Sequence, residues 1–451
     1  MFRSKVFAGI LTLALVVPAV ASAQNVDTGT ANFTRYVAVG DSLTAGFSSG
    51  GLVATVQVNS YPALIFRQAT GRSSGFQQPL VSEPGIPSLL QLRSLAPLQI
   101  VPGGGQGVPT NLNLQAPYNN LAVPGADVHD AVATVTDNGG LHDLILRRIG
   151  TQLQQAVVQQ PTFVTIWIGN NDALAAATSG RVIEGVTLTS VESFEADFRT
   201  LVNAIASTGA KMAIANIPSV TSIPFVTTVP SILVNPATNQ PVLVNGAPVP
   251  LIGPNGPLGA GDRVLLTGSA ELAQGRGIPA ALGGSGQPLS DAAVLSASEI
   301  STISARVQAY NSIISSVANQ AGAAFVDINT LFNQINAQGG VRIGGVTLTS
   351  AFLTGGIFSY DGVHPTPFGY AFIANAFLDA INDKFGGEIP PVDYYPFLFG
   401  PTPAPVPSTA GDFVFTPQAT RNLMWSLGQR DTAVTGKPTG RKPHRPAQRP
   451  N

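Results

Sequence analysis

The chain contains no cysteine. Disulfides, thiolate nucleophiles and cysteine-based metal sites are therefore excluded. Charge is scarce as well. Only 10% of residues are charged, 23 basic against 24 acidic, so no basic field exists to attract a nucleic acid. Histidine is limited to four positions, His129, His142, His364 and His444, which narrows any search for a general base. No H-E-x-x-H or comparable spacing occurs, and neither a metal ion nor an organic cofactor is expected. Beyond the first 23 residues no run is long and apolar enough for a membrane span.

Those first 23 residues read as a signal peptide outside the fold. Arg3 and Lys5 form a positive region, "VFAGILTLALVV" an apolar core, and Ala21 and Ala23 a small-residue cleavage pattern. No cysteine follows it, so lipid anchoring is excluded. The expectation is an exported protein, periplasmic or secreted.

Four short apolar runs read as buried strands: 36–40, 163–169, 211–216 and 323–328. Helix-like segments precede three of them, over 141–160, 190–209 and 298–322, and a last helix covers 367–383. Continuous apolar strands alternating with amphipathic helices predict a parallel sheet covered on both faces. The expected fold class is α/β, a three-layer α/β/α arrangement with a mainly parallel, flavodoxin-like sheet. The expected domain runs over 24–385. Insertions interrupt it at about 48–118, which holds one helix candidate at 60–70, and at about 219–292, where Pro, Gly and Asn suggest hairpins. "VIEGVTLTS" at 182–190 recurs as "RIGGVTLTS" at 342–350, too short to be a solenoid and read as two similar hairpins or loop edges. A Pro-rich extension follows over 386–451, and its basic end, from about 432, reads as a disordered tail.

"YVAVGDSL" ends an apolar strand in Gly40-Asp41-Ser42. Parallel α/β sheets keep their chemistry at such carboxyl ends, although "GDS" also suits a simple capped turn. A serine hydroxyl becomes nucleophilic when an oriented imidazole removes its proton. His444 lies in the tail, and His129 and His142 sit beside Asp130 and Asp143 at spacings common on solvated surfaces. His364 differs: "DGVHP" places Asp361 three residues earlier, where one turn can bring the carboxylate to a ring nitrogen. The alternative, Asp361 as a cap and His364 as a surface residue, accounts for less. Ester attack also needs oxyanion donors. "GNND" at 169–172 offers side-chain amides at a second strand end, and Gly125 in "NLAVPG" a close-approaching backbone N–H.

Together these blocks resemble the GDSL or SGNH hydrolase family: "GDSL" at 40–43, "NLAVPG" at 120–125, "GNND" at 169–172 and "DGVHP" at 361–365. The resemblance implies Ser42 as nucleophile, His364 as base and Asp361 as its orienting partner. It implies an oxyanion hole from the N–H groups of Ser42 and Gly125 and the side chain of Asn171. By position in G-x-N-D, Asn171 and not Asn170 is the hole residue. The α/β-hydrolase elbow G-x-S-x-G is disfavoured, since position 44 is Thr.

The expected function is an exported serine esterase or lipase acting on small or lipidic acyl esters through an acyl-enzyme. A polysaccharide O-acetylesterase would use the same site, but the insertions are poor in Trp and charge. A non-catalytic surface-binding module would carry the same polar groups as an unneeded burial cost.

Overall fold

The computed structural model describes residues 26–400, apart from 96, 97 and 116, together with 416, 419 and 423. The signal peptide and the basic tail read from the sequence lie outside these residues.

Four parallel strands form the centre: β1 (Tyr36–Gly40), β2 (Phe163–Trp167), β3 (Lys211–Ala215) and β4 (Ala324–Val326), hydrogen-bonded in that order. All three pairings are parallel. On the free side of β1 the extended segment 119–123 adds a further edge. Ala38 N–H donates to Asn119 O, and the Leu121 and Val123 N–H groups donate back to Ala38 O and Gly40 O. Counted in chain order that gives 2-1-3-4-5, the doubly wound order whose switch point lies between β1 and β2.

The strands are apolar throughout because both faces are covered. Val37, Val39, Val164, Ile166, Met212 and Ile214 point into one layer. Against them lie α7 (Val191–Ala206) and α8 (Ala297–Gln320). Phe194, Phe198, Leu201, Val202 and Ile205, spaced at helical period, are all buried there. Truncating Phe198 to Ala would cost about 3–5 kcal/mol. Tyr36, Trp167, Ala213, Ala215 and Ala324 point into the other layer, which holds α2 (Tyr61–Thr70) and α10 (Pro367–Phe385). The small alanines let α10 approach the sheet, and Phe377 stacks on Tyr61 with ring centroids 4.5 Å apart.

The segment 141–160 departs from its expected single helix. It divides into α4 (Leu141–Leu146) and α5 (Gln152–Val158). Arg147 and Arg148 adopt φ of 54° and 59°, and Thr151 and Gln154 form a capping box that restarts the helix. Gln155 Nε2 donates to Leu146 O and Gly150 O, satisfying carbonyls at the break. The two "VTLTS" copies also differ. Residues 341–348 form an antiparallel hairpin, whereas the first copy is a turn bridged at Glu184–Leu188.

Segment 48–118 carries α2 and an unexpected hairpin of Leu90–Leu95 with Leu98–Pro102. Segment 219–292 holds three two-residue antiparallel ladders. Four more helices complete the frame used below: α1 (Ser42–Ala45), α3 (Val128–Ala133), α6 (Asn171–Ser179) and α9 (Ile328–Ala337). Among the described residues no helix is long and apolar enough to cross a membrane.

Candidate active site

The last residue of β1 is glycine for a steric reason: a Cβ at Gly40 would lie 2.5 Å from Trp167 O and 2.1 Å from Thr44 Oγ1. Asp41 then caps α1, its Oδ1 accepting from Leu43 N–H at 3.0 Å. Ser42 is the first residue of that helix. β2 ends at Trp167, Gly169 follows at φ 114°, and α6 starts at Asn171. Both turns open at the carboxyl edge, at the switch point.

The third component arrives from the far end of the chain. His364 Nε2 lies 2.8 Å from Ser42 Oγ, and His364 Nδ1 lies 2.9 Å from Asp361 Oδ2. All three side chains are at most 2% exposed. Asp361 Oδ1 accepts from the N–H groups of Val363 and His364 and from Ser359 Oγ, and Oδ2 also accepts from Gly50 N–H at 2.9 Å. Burial alone would raise its pKa. The adjacent imidazole and these donors outweigh burial and hold the carboxyl below the ordinary carboxylate range. Phe47 packs on the His364 ring at 4.7 Å, and Ser48 Oγ donates to Pro365 O. The loop after Ser42 thus holds the loop that carries His364. An imidazole so held, with one nitrogen on a carboxylate, can take a proton from the serine hydroxyl through the other.

The two asparagines of 169–172 reach in different directions. Asn170 Nδ2 donates to Asp41 Oδ2 at 2.8 Å, while Asn171 Nδ2 donates to Ala126 O at 2.8 Å. Asn171 is therefore tied to the peptide that follows Gly125, which has φ 85°. Among the described residues no hydrogen-bond partner faces the N–H of Ser42 or of Gly125. Asp41 is fully buried, and burial pushes its carboxyl up to about 6, despite the hydrogen bonds from Asn170 and Leu43.

The other described histidines pair elsewhere. His129 Nδ1 lies 2.9 Å from Asp197 Oδ2, a hydrogen bond that raises its pKa. His142 is buried beside Asp137 at 3.3 Å. Their imidazoles thus meet the carboxylates of Asp197 and Asp137. His444 lies outside the described residues. Among those residues no cluster of three or more His, Cys, Asp or Glu is placed to hold a metal ion.

The sequence reading missed the donors Gly50 and Ser359 and the Asp41–Asn170 bond. "SSGG" at 48–51 was the available signal, because Gly50 sits at φ 81°, but nothing local says that its N–H meets a carboxylate 311 positions away.

No curated protein matches the chain. Among solved structures, an acetylxylan esterase from Geobacillus stearothermophilus is 13% identical at a TM-score of 0.36, over 78% of this chain and 96% of that one. An alpha/beta hydrolase enzyme from the metagenome of Lake Arreo, Spain, is 15% identical at 0.37, with the same coverage. The family model described as GDSL-like Lipase/Acylhydrolase matches residues 36–377, about three quarters of the sequence. The chain belongs to that family and is a carboxylic ester hydrolase.

Proposed function

We propose that the protein is an exported serine esterase that cleaves acyl esters through an acyl-enzyme. Ser42 Oγ attacks the ester carbonyl carbon while its proton passes to His364 Nε2. Asp361 holds the ring through Nδ1 and stabilises the imidazolium that forms. The carbonyl oxygen becomes an oxyanion facing the N–H groups of Ser42 and Gly125 and the Asn171 amide. Collapse expels the alcohol, which takes the proton from His364. Water then enters by the reverse sequence, the imidazole serving again as base, and releases the acid. No metal or organic cofactor has a part in this scheme.

One observation carries the reading: the unbroken hydrogen-bonded line Ser42–His364–Asp361, buried at the carboxyl edge of β1. A cap and a surface histidine would not need to be buried together, with the second ring nitrogen on a hydroxyl. Export to the periplasm or beyond rests on the leader-like residues 1–23.

Two measurements test it. Ser42→Ala should abolish hydrolysis of p-nitrophenyl esters, and a fluorophosphonate should label Ser42. Labelling of another serine, or an active alanine variant, would overturn the proposal.

A further inference from the structure

Phe47 touches both of the groups between which the proton would pass, and its place follows from how α1 ends. Gly46, at φ 79°, closes α1 in the left-handed conformation after four residues. The next N–H, that of Phe47, donates to Ser42 O at 3.0 Å. The buried Phe47 ring then meets the His364 ring at 4.7 Å between centroids and 54° between planes. One residue therefore contacts the backbone of Ser42 through its N–H and the imidazole through its ring.

Phe47 is itself held by its carbonyl. Tyr370 of α10 donates its hydroxyl to Phe47 O. Both residues are fully buried, and among the described residues no other donor reaches that oxygen. Tyr370 follows His364 by six positions along a stiff connection. There Thr366 caps α10 by accepting from Gly369 N–H, its own N–H donates to Ile357 O, and Pro365 and Pro367 flank it. Burial, together with the carboxylates of Asp361 and Asp41, pushes the Tyr370 pKa up, so the hydroxyl stays protonated and able to donate.

The imidazole needs a wall as well as a hydrogen bond. Its Nδ1 contact with Asp361 is a single point of attachment. A ring held at one point can tilt and carry Nε2 away from Ser42 Oγ. The Phe47 ring stands where it limits that tilt. A misplacement of about 1 Å in a reacting pair costs about a hundredfold in rate. Without the Tyr370 hydroxyl, Phe47 O would be buried with no donor, and the backbone at 47 would shift to find one.

We infer that Tyr370 is a positioning residue for the reaction: acting through Phe47, it fixes the His364 ring against Ser42. This rests on the esterase reading above, since it takes Ser42 and His364 as the pair that exchanges the proton. A hydroxyl that merely satisfied a buried carbonyl would support the fold equally but would leave turnover alone.

The experiment is a double-mutant cycle on the full chain, assayed with p-nitrophenyl butyrate well below the melting temperature of every variant. Tyr370→Phe removes the hydroxyl and keeps the ring. It should lower kcat about ten- to a hundredfold with KM unchanged, and slow fluorophosphonate labelling of Ser42 in proportion. Phe47→Leu should lower kcat by a similar factor, and adding Tyr370→Phe to it should cost no more than about twofold further. Tyr36→Phe is the control: it removes a buried hydroxyl bonded to Thr165 Oγ1 at 2.9 Å, at the opposite end of β1 from Ser42, and should lower the melting temperature while leaving kcat unchanged. A Tyr370→Phe variant that behaves like the control, a Phe47→Leu variant with normal kcat, or additive losses in the cycle would overturn the role of Tyr370 and leave the esterase reading standing. Absence of ester hydrolysis and of Ser42 labelling in the wild type would overturn the esterase reading, and this inference with it.

Discussion

Asn170 donates its side-chain amide to Asp41 Oδ2 across 2.8 Å, joining the residue before Ser42 to the residue before Asn171. The bond spans the ends of two adjacent parallel strands and helps to set the distance between the proposed nucleophile and the proposed oxyanion donor. Asp41→Ala and Asn170→Ala should therefore each lower kcat by a similar factor, and the double variant should do little more harm than either. The coupling expected for such a pair is about 1–2 kcal/mol, or roughly five- to thirtyfold. Additive losses in the double-mutant cycle would mean that the two side chains act separately.

The same carboxyl gives a pH signature in stability. Burial raises Asp41 from its ordinary 3.8 to about 6 in the folded protein. The native state then holds an extra proton between those values, so this contribution is complete below pH 3.8 and is lost as pH rises through 6. Relative to Asp41→Asn, the wild type should lose about 2 kcal/mol between pH 4 and pH 7.5, measured by urea unfolding. Asp361 has the opposite sign, its lowered pKa contributing stability above 3.8 that is lost as pH falls further. A wild-type advantage that grew with pH would contradict the Asp41 assignment.

Asn171→Ala should reduce kcat by roughly a hundred- to a thousandfold, as for one oxyanion donor, with little change in the melting temperature. Asn170→Ala should reduce it much less. Reversal of the two would shift the role by one position and remove Asn171 from the hole.

Asp361→Asn should cost about 10²- to 10⁴-fold in kcat, by turning an N–H group toward donors that now face a carboxylate. Oδ1 accepts from the Val363 and His364 N–H groups while Oδ2 meets Gly50 N–H and His364 Nδ1, so the single amide oxygen can serve one side only and the NH2 must face donors on the other. Near-normal turnover in the variant would reassign Asp361 to holding the loop alone.

The parts of this arrangement legible in the sequence were those fixed locally. The apolar run Tyr36–Gly40 and the small polar turn after it belong to β1 and α1, and His364 follows Asp361 by three positions within one turn. Long amphipathic periods gave α7, α8 and α10 nearly to their ends. The break at Arg147–Gly150 escaped notice because apolar residues continue through it, while left-handed arginines leave no mark in composition. α9 was missed for another reason. Its apolar residues 328, 331, 332 and 335 stand at helical spacing, but the segment is short and directly follows the strand run 323–328, so its period was passed over.

Ser42 and His364 are 322 positions apart. Joining the ends of so long a loop costs about 5 kcal/mol in chain entropy, a debt that the sheet and both helical layers must offset first. Contacts of this separation form late when a chain folds. Hydrolysis is therefore a readout of completed assembly: a refolding chain can bury its strands and recover its helices while the hydroxyl and the imidazole have yet to meet.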